Sequence, residues 1–129
     1  MPIARISVPA HMTADKIQTL ADAVHEALVS TCDIPANERF QLVSRFAPRD
    51  MIIDPTFPNM NRTADASIVE ITWLAGRNAE KKRALYQAIV AGAVAGGFRP
   101  DDVMVALLEN KPIDWSLGRG EAYEERKPE

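Results

Sequence analysis

An internal duplication constrains this chain more than any other feature. Laid over itself without gaps at an offset of 65 residues, the sequence matches Ile3 with Ile68, Ile6 with Ile71, Val8 with Trp73, Leu20 with Leu85 and Val24 with Ile89. The match continues through Pro35 and Pro100, Phe40 and Val105, Leu42 and Leu107, and two polar residues suited to helix caps, Thr13 and Asn78. Two unrelated segments of the same kind would share amphipathic spacing, but not caps and prolines at one common offset.

Each half reads as strand, helix, strand. Residues 3–8 alternate only partly and form a short, largely buried strand that Pro9 stops. Ile17, Leu20, Ala21, Val24, Ala27, Leu28 and Thr31 recur at helical spacing behind Thr13. Pro35 closes the connection, and Phe40, Leu42, Val43 and Phe46 mark a second strand. Residues 47–65 hold three prolines around Met51–Ile53 and read as a loop with one small hairpin. The pattern then returns as a strand over 67–73, a helix behind Asn78 with Leu85, Ala88, Ile89, Gly92 and Ala93 on its face, and a strand over 103–108. The expected fold class is α/β. A single domain, 1–129, is built of halves 2–46 and 67–109, with a tail over 110–129.

A crossover of this kind makes its two strands parallel, so two units related by a pseudo-twofold form one four-stranded mixed sheet with both helices on one face. With the first strand of each half at the centre, the central pair is antiparallel. Pro2 is then expected near residues 74–77, with Glu38, Arg39 and the segment from Glu109 onward at the same pole. The sheet face away from the helices is left apolar, and 129 residues cannot cover it alone, so oligomerisation is expected.

Composition narrows the function. Fifteen Lys and Arg against eighteen Asp and Glu leave a formal charge of -3, which argues against a nucleic-acid partner. The single cysteine, Cys32, forms no intrachain disulfide, and no Cys/His cluster has metal-ligand spacing. No apolar run is long enough for a membrane span, and the first residues lack a signal-peptide pattern, so a cytoplasmic location is expected.

The start Met1-Pro2-Ile3, the duplicated unit, Arg39-Phe40-Gln41-Leu42 and Asp114-Trp115-Ser116-Leu117-Gly118 together resemble the tautomerase superfamily, nearest its malonate semialdehyde decarboxylase branch. The resemblance implies a homotrimer, no cofactor, a small carbonyl acid as substrate, and an N-terminal proline whose secondary amine does the chemistry. It places the catalytic proline at Pro2 after removal of Met1, its acidic partner at Glu38 and a catalytic, substrate-binding arginine at Arg77. The decarboxylase pattern has aspartate where Glu38 stands, and two arginines in the run where this chain has only Arg77. The resemblance therefore implies keto-enol tautomerisation of a 2-oxo or related acid first, decarboxylation of a 3-oxo acid such as malonate semialdehyde second, and a non-catalytic trimer that binds carboxylates third.

Physical chemistry supports those roles. A proline amine next to a carboxylate and an arginine has its protonation set by both, and serves as base or acid. Arg77 stands directly before the cap Asn78, where a bound carboxylate meets a guanidinium and the free N–H groups of a helix start. Trp115, Leu117 and Tyr123 are candidates for an apolar wall that excludes water. Each also has a plainer reading: Pro2 as a strand opener, Arg77 as a solvated loop residue, Glu38 as a surface charge paired with Arg39, Trp115 as core or subunit interface. His11 and His25 read as structural or surface histidines, Cys32 as a small buried hydrophobe, and 121–129 as a solvated or subunit-wrapping end.

Overall fold

The computed structural model describes residues 1–123. Its elements run β1 (Ile3–Pro9), α1 (Ala14–Cys32), β2 (Phe40–Phe46), β3 (Ser67–Leu74), α2 (Ala79–Ala95) and β4 (Val103–Asn110), with 3-10 turns at Pro48–Asp50, Pro100–Asp102 and Pro112–Asp114. The sheet order is β2-β1-β3-β4. β1 and β2 are parallel, β3 and β4 are parallel, and the central β1–β3 pair is antiparallel, as the duplication requires.

Both proposed caps form. The Thr13 hydroxyl accepts from the Lys16 N–H at 3.2 Å, and the Asn78 side-chain carbonyl accepts from the Lys81 N–H at 2.9 Å. Ala4, Ile6 and Val8 of β1 and Val69, Ile71 and Trp73 of β3 face the helices and are buried. Leu20, Val24 and Leu28 of α1 meet Leu85, Ile89 and Ala93 of α2 above them. Each fully buried aliphatic side chain here contributes roughly 1.5–3 kcal/mol, so this single layer holds the fold together. Cys32 is buried and free, and His25 is buried with its Nε2 2.8 Å from the Ala36 carbonyl oxygen. His11 is a surface residue, paired with Asp65 at 2.8 Å.

Three expectations need correction. First, β1 extends through Pro9 rather than stopping before it, and the Ala10 N–H still donates to Phe46 at 2.8 Å, because the missing donor falls at the strand's last residue. Second, the outer strands do not correspond at the offset that aligns the rest. Ile3 lies beside Phe40 and Ile68 beside Met104, so Phe40 occupies the place of Met104, not of Val105. A slip of one residue exchanges the two faces of a strand. Phe40 and Leu42 therefore lie on the open face, 55% and 50% exposed, while Val105 and Leu107 pack toward the helices.

Third, residues 47–66 form no hairpin. They hold a 3-10 turn and a set of pinned turns instead, because the prolines remove ladder donors and local carboxylates offer the backbone other partners. Asp54 accepts from the N–H groups of Thr56 and Phe57, Arg62 donates to the Asp54 carbonyl at 2.8 Å, and buried Asp102 accepts from the Thr63 N–H at 2.8 Å and from its hydroxyl.

Candidate active site

The register brings the start of β1 to a pole shared with three other segments. Ile3 pairs with Thr72 on one side and Phe40 on the other, so Pro2 comes next to Trp73 and to the residues that lead into β2. Trp73 pairs in turn with Glu109, and Leu74 with Asn110. The convergence expected from the topology is therefore present.

Pro2 is buried. The amino group of Met1, one residue earlier, lies 3.0 Å from Glu38 Oε2. Glu38 and Arg39 do not pair with each other: Arg39 reaches Asp22 of α1 at 2.7 Å and Gln41 at 3.0 Å. The Arg39 guanidinium, with the Gln18 amide, holds the Asp22 carboxyl below its ordinary range.

Arg77 is placed by the turn after β3. Gly76 has φ +132°, a conformation that side chains rarely adopt, and so turns the chain sharply at the foot of α2. The Arg77 guanidinium lies over the Trp73 ring, 4.3 Å from its centroid, and donates to the Leu74 carbonyl at 3.2 Å. Its charge also reaches the end of α1, where Lys81 chiefly, and Arg77 to a lesser degree, hold the Asp33 carboxyl low.

Trp115 is 8% exposed and its Nε1 donates to Asn110, at the end of β4. A bridge between Ser116 and Ala122 and a 2.8 Å bond from the Tyr123 N–H to Trp115 fold 115–123 into a hook. Leu117 sits on that hook, 46% exposed, and is not drawn into the chain's own core. The expected tail reaches into 124–129, which lies outside the described residues.

Two residues escaped sequence reasoning. Asn110 holds Trp115 and accepts the Ala75 N–H at 2.9 Å, and nothing in its sequence context signals either bond. Trp73 reads from sequence only as a strand residue, although its place four positions before Arg77 was visible. A partly enclosed cavity of about 220 Å³, lined by Pro9, Phe46, Met51, Ile53 and Arg62 among others, opens at the opposite pole, and none of the candidate residues lines it. Among the described residues, no group of three or more His, Cys, Asp or Glu converges as a metal site requires, and no helix is long and apolar enough to cross a membrane.

A sequence profile described as "Tautomerase enzyme" matches residues 38–118, and a second of the same description matches 2–59. The chain belongs to the tautomerase family. Its curated relatives in Bacillus subtilis (strain 168) include "Probable tautomerase YrdN", 30% identical with 95% of each chain covered, and "Probable tautomerase YusQ", 27% identical with 95% of this chain and 97% of the relative covered. Among solved structures, FG41 malonate semialdehyde decarboxylase inhibited by 3-bromopropiolate superposes with a TM-score of 0.87 at 34% identity, over 92% of this chain and 91% of that one. A fused 4-OT structure described as a symmetric trimer shares the fold, with a TM-score of 0.77 at 21% identity over 95% and 96% of the two chains. This tautomerase is accordingly an enzyme with the superfamily's four-stranded mixed sheet and two helices.

Proposed function

We propose that this tautomerase interconverts keto and enol forms of a small carbonyl acid, with Pro2 as the base once Met1 has been removed. With Met1 attached, the Pro2 nitrogen is an amide and has no available lone pair; without it, the nitrogen is a secondary amine. The observation that carries the reading is the register of β1, which brings the start of the chain beside Glu38 and opposite the Trp73–Arg77 turn.

The amine takes a proton from the carbon beside the substrate carbonyl. The released electron pair forms the carbon–carbon double bond, the carbonyl oxygen becomes an enolate, and the prolyl ammonium returns the proton to that oxygen. Glu38 stabilises the ammonium between the two transfers. Arg77 binds the substrate carboxylate through charge-assisted hydrogen bonds. Trp115 and Leu117 are assigned to the apolar wall, which requires the exposed Leu117 to be covered in the assembly. The open sheet face, with Phe40, Leu42, Met104 and Leu108 exposed, supports a homotrimer, the state described for the fused 4-OT relative.

Decarboxylation of a 3-oxo acid is the second reading. It is favoured by two malonate semialdehyde decarboxylase structures at 34% and 32% identity. Assays with an enolpyruvate and with malonate semialdehyde separate the two, run beside mass spectrometry of the purified chain. Pro2→Ala is expected to lower the rate by about 10²–10⁴-fold. An active enzyme whose mass includes Met1 would exclude the proline mechanism. Carboxylates that raise thermal stability while Pro2→Ala changes no rate would instead favour a non-catalytic binding protein.

A further inference from the structure

We propose that Trp73 is the positioning residue for Arg77, a rigid aromatic platform that holds the guanidinium by its face and leaves its edge for the substrate's carboxylate. This rests on the reading that Arg77 is the carboxylate-binding group.

The platform is set in the hydrophobic core. Trp73 is fully buried on the helix-facing side of β3, a central strand, and the next residue pair along the β1–β3 register sets it across from Pro2. Its ring therefore fixes the guanidinium relative to the strand that carries the proposed base. Arg77 lies 4.3 Å above that ring, and among the described residues no carboxylate lies within ion-pair distance of it. Its one hydrogen bond among the described residues goes to the Leu74 carbonyl. A guanidinium has five N–H donors in its plane, so stacking occupies the face while most of the edge stays available for bidentate binding of an anion.

A second observation points the same way. Trp73 Nε1 is a buried polar atom with no hydrogen-bond partner among the described residues. Buried indoles usually find an acceptor, and a residue needed only to fill the space would do so without leaving a donor unpaired. What an indole supplies that leucine cannot is a π face, and tryptophan offers the strongest of the three aromatic side chains to a cation.

Steady-state kinetics test this on the full-length assembly, using an enolpyruvate and its methyl ester and the variants Trp73→Leu, Trp73→Phe, Arg77→Ala and Trp73→Leu/Arg77→Ala. Trp73→Leu is expected to raise KM for the acid by about three- to thirtyfold, with kcat and the ester's KM little changed. Trp73→Phe should recover most of that loss, and Trp73→Leu should add nothing in the Arg77→Ala background. Equal losses for acid and ester, or the same loss with Arg77 absent, would reduce Trp73 to a packing residue and overturn the proposal.

Arg77→Ala alone separates the two levels: if it leaves KM for the acid unchanged, the carboxylate role of Arg77 falls and the platform with it. If instead Arg77→Ala weakens the acid and folded Trp73→Leu does not, only the platform fails. Should Trp73→Leu not fold, fluorescence decides. The chain has two tryptophans, and subtracting the emission of Trp73→Phe, which keeps Trp115 in the proposed wall, isolates the signal of Trp73. Its emission should change saturably with pyruvate, and not in the Arg77→Ala background; no change with Arg77 present would overturn the proposal.

Discussion

Glu38 and Arg39 are neighbours of opposite charge, yet the fold separates them. Successive side chains of an extended segment point to opposite sides, so Arg39 turns toward α1 and Asp22 while Glu38 meets the amino group at the start of β1. That division gives Glu38 a sharp test. An adjacent carboxylate favours a protonated amine, so Glu38→Gln should lower the pKa of the Pro2 amine. A rate that needs the free base then sets in at lower pH, and the pH dependence of kcat/KM shows the shift. A decarboxylase that needs the cation would lose activity in that same interval. A profile identical to wild type would show that Glu38 does not face the amine. From the sequence, Glu38 was identifiable only through the strand order and the family resemblance, because a carboxylate beside an arginine most simply reads as a local pair.

At the scale of elements, the two helices approach each other closely. A Cβ added at Gly92 would lie 2.8 Å from the Ala23 Cβ, and one at Gly96 would meet Thr19 Cγ2, whose hydroxyl is tied to the Asp15 carbonyl at 3.1 Å. Gly92→Ala sets two effects against each other. Helix propensity favours alanine by about 1 kcal/mol, while overpacking against a rigid Ala23 costs about 1–3 kcal/mol. Net destabilisation of up to about 2 kcal/mol is expected in urea denaturation, and Ala23→Gly should relieve the clash in the double variant. A Gly92→Ala protein more stable than its parent would show that the helices do not meet here. The helices, their caps and their buried stripes were legible because the same periodicity that builds a helix records which side of it is buried. The turns of 47–66 were not, since two of the carboxylates that pin them, Asp101 and Asp102, lie about forty residues away in sequence.

For the whole molecule, the sheet has one covered face and one open one. The open face carries Phe40, Leu42, Met104 and Leu108 with Arg5 opposite Glu70 at its centre, an apolar surface that calls for a partner copy. Sedimentation at micromolar concentration is expected to show a trimer, and Leu42→Lys to dissociate it; a stable wild-type monomer would count against the assembly. Acid should weaken the fold at several points together. Asp65 is held low by its bonds to His11 and Lys16, Asp22 by Arg39 and Gln18, Asp33 by Lys81, and Asp54 by the N–H groups of Phe57 and Thr56. Carboxyls lowered on folding contribute stability above their unfolded pKa and lose it as pH falls through the folded value. The thermal midpoint should therefore drop between about pH 5 and about pH 3. A midpoint constant over that interval would show these contacts to be solvent-screened and energetically silent. The two strand-helix-strand units and the caps were determined by sequence alone, because each is written in spacings shorter than one element. Only the tertiary structure decided the one-residue slip that turns Phe40 outward, the partner of Glu38, the outward placement of Leu117 and the seat of Arg77 on Trp73. Each of these depends on where one element stops against another, and no local periodicity carries that information.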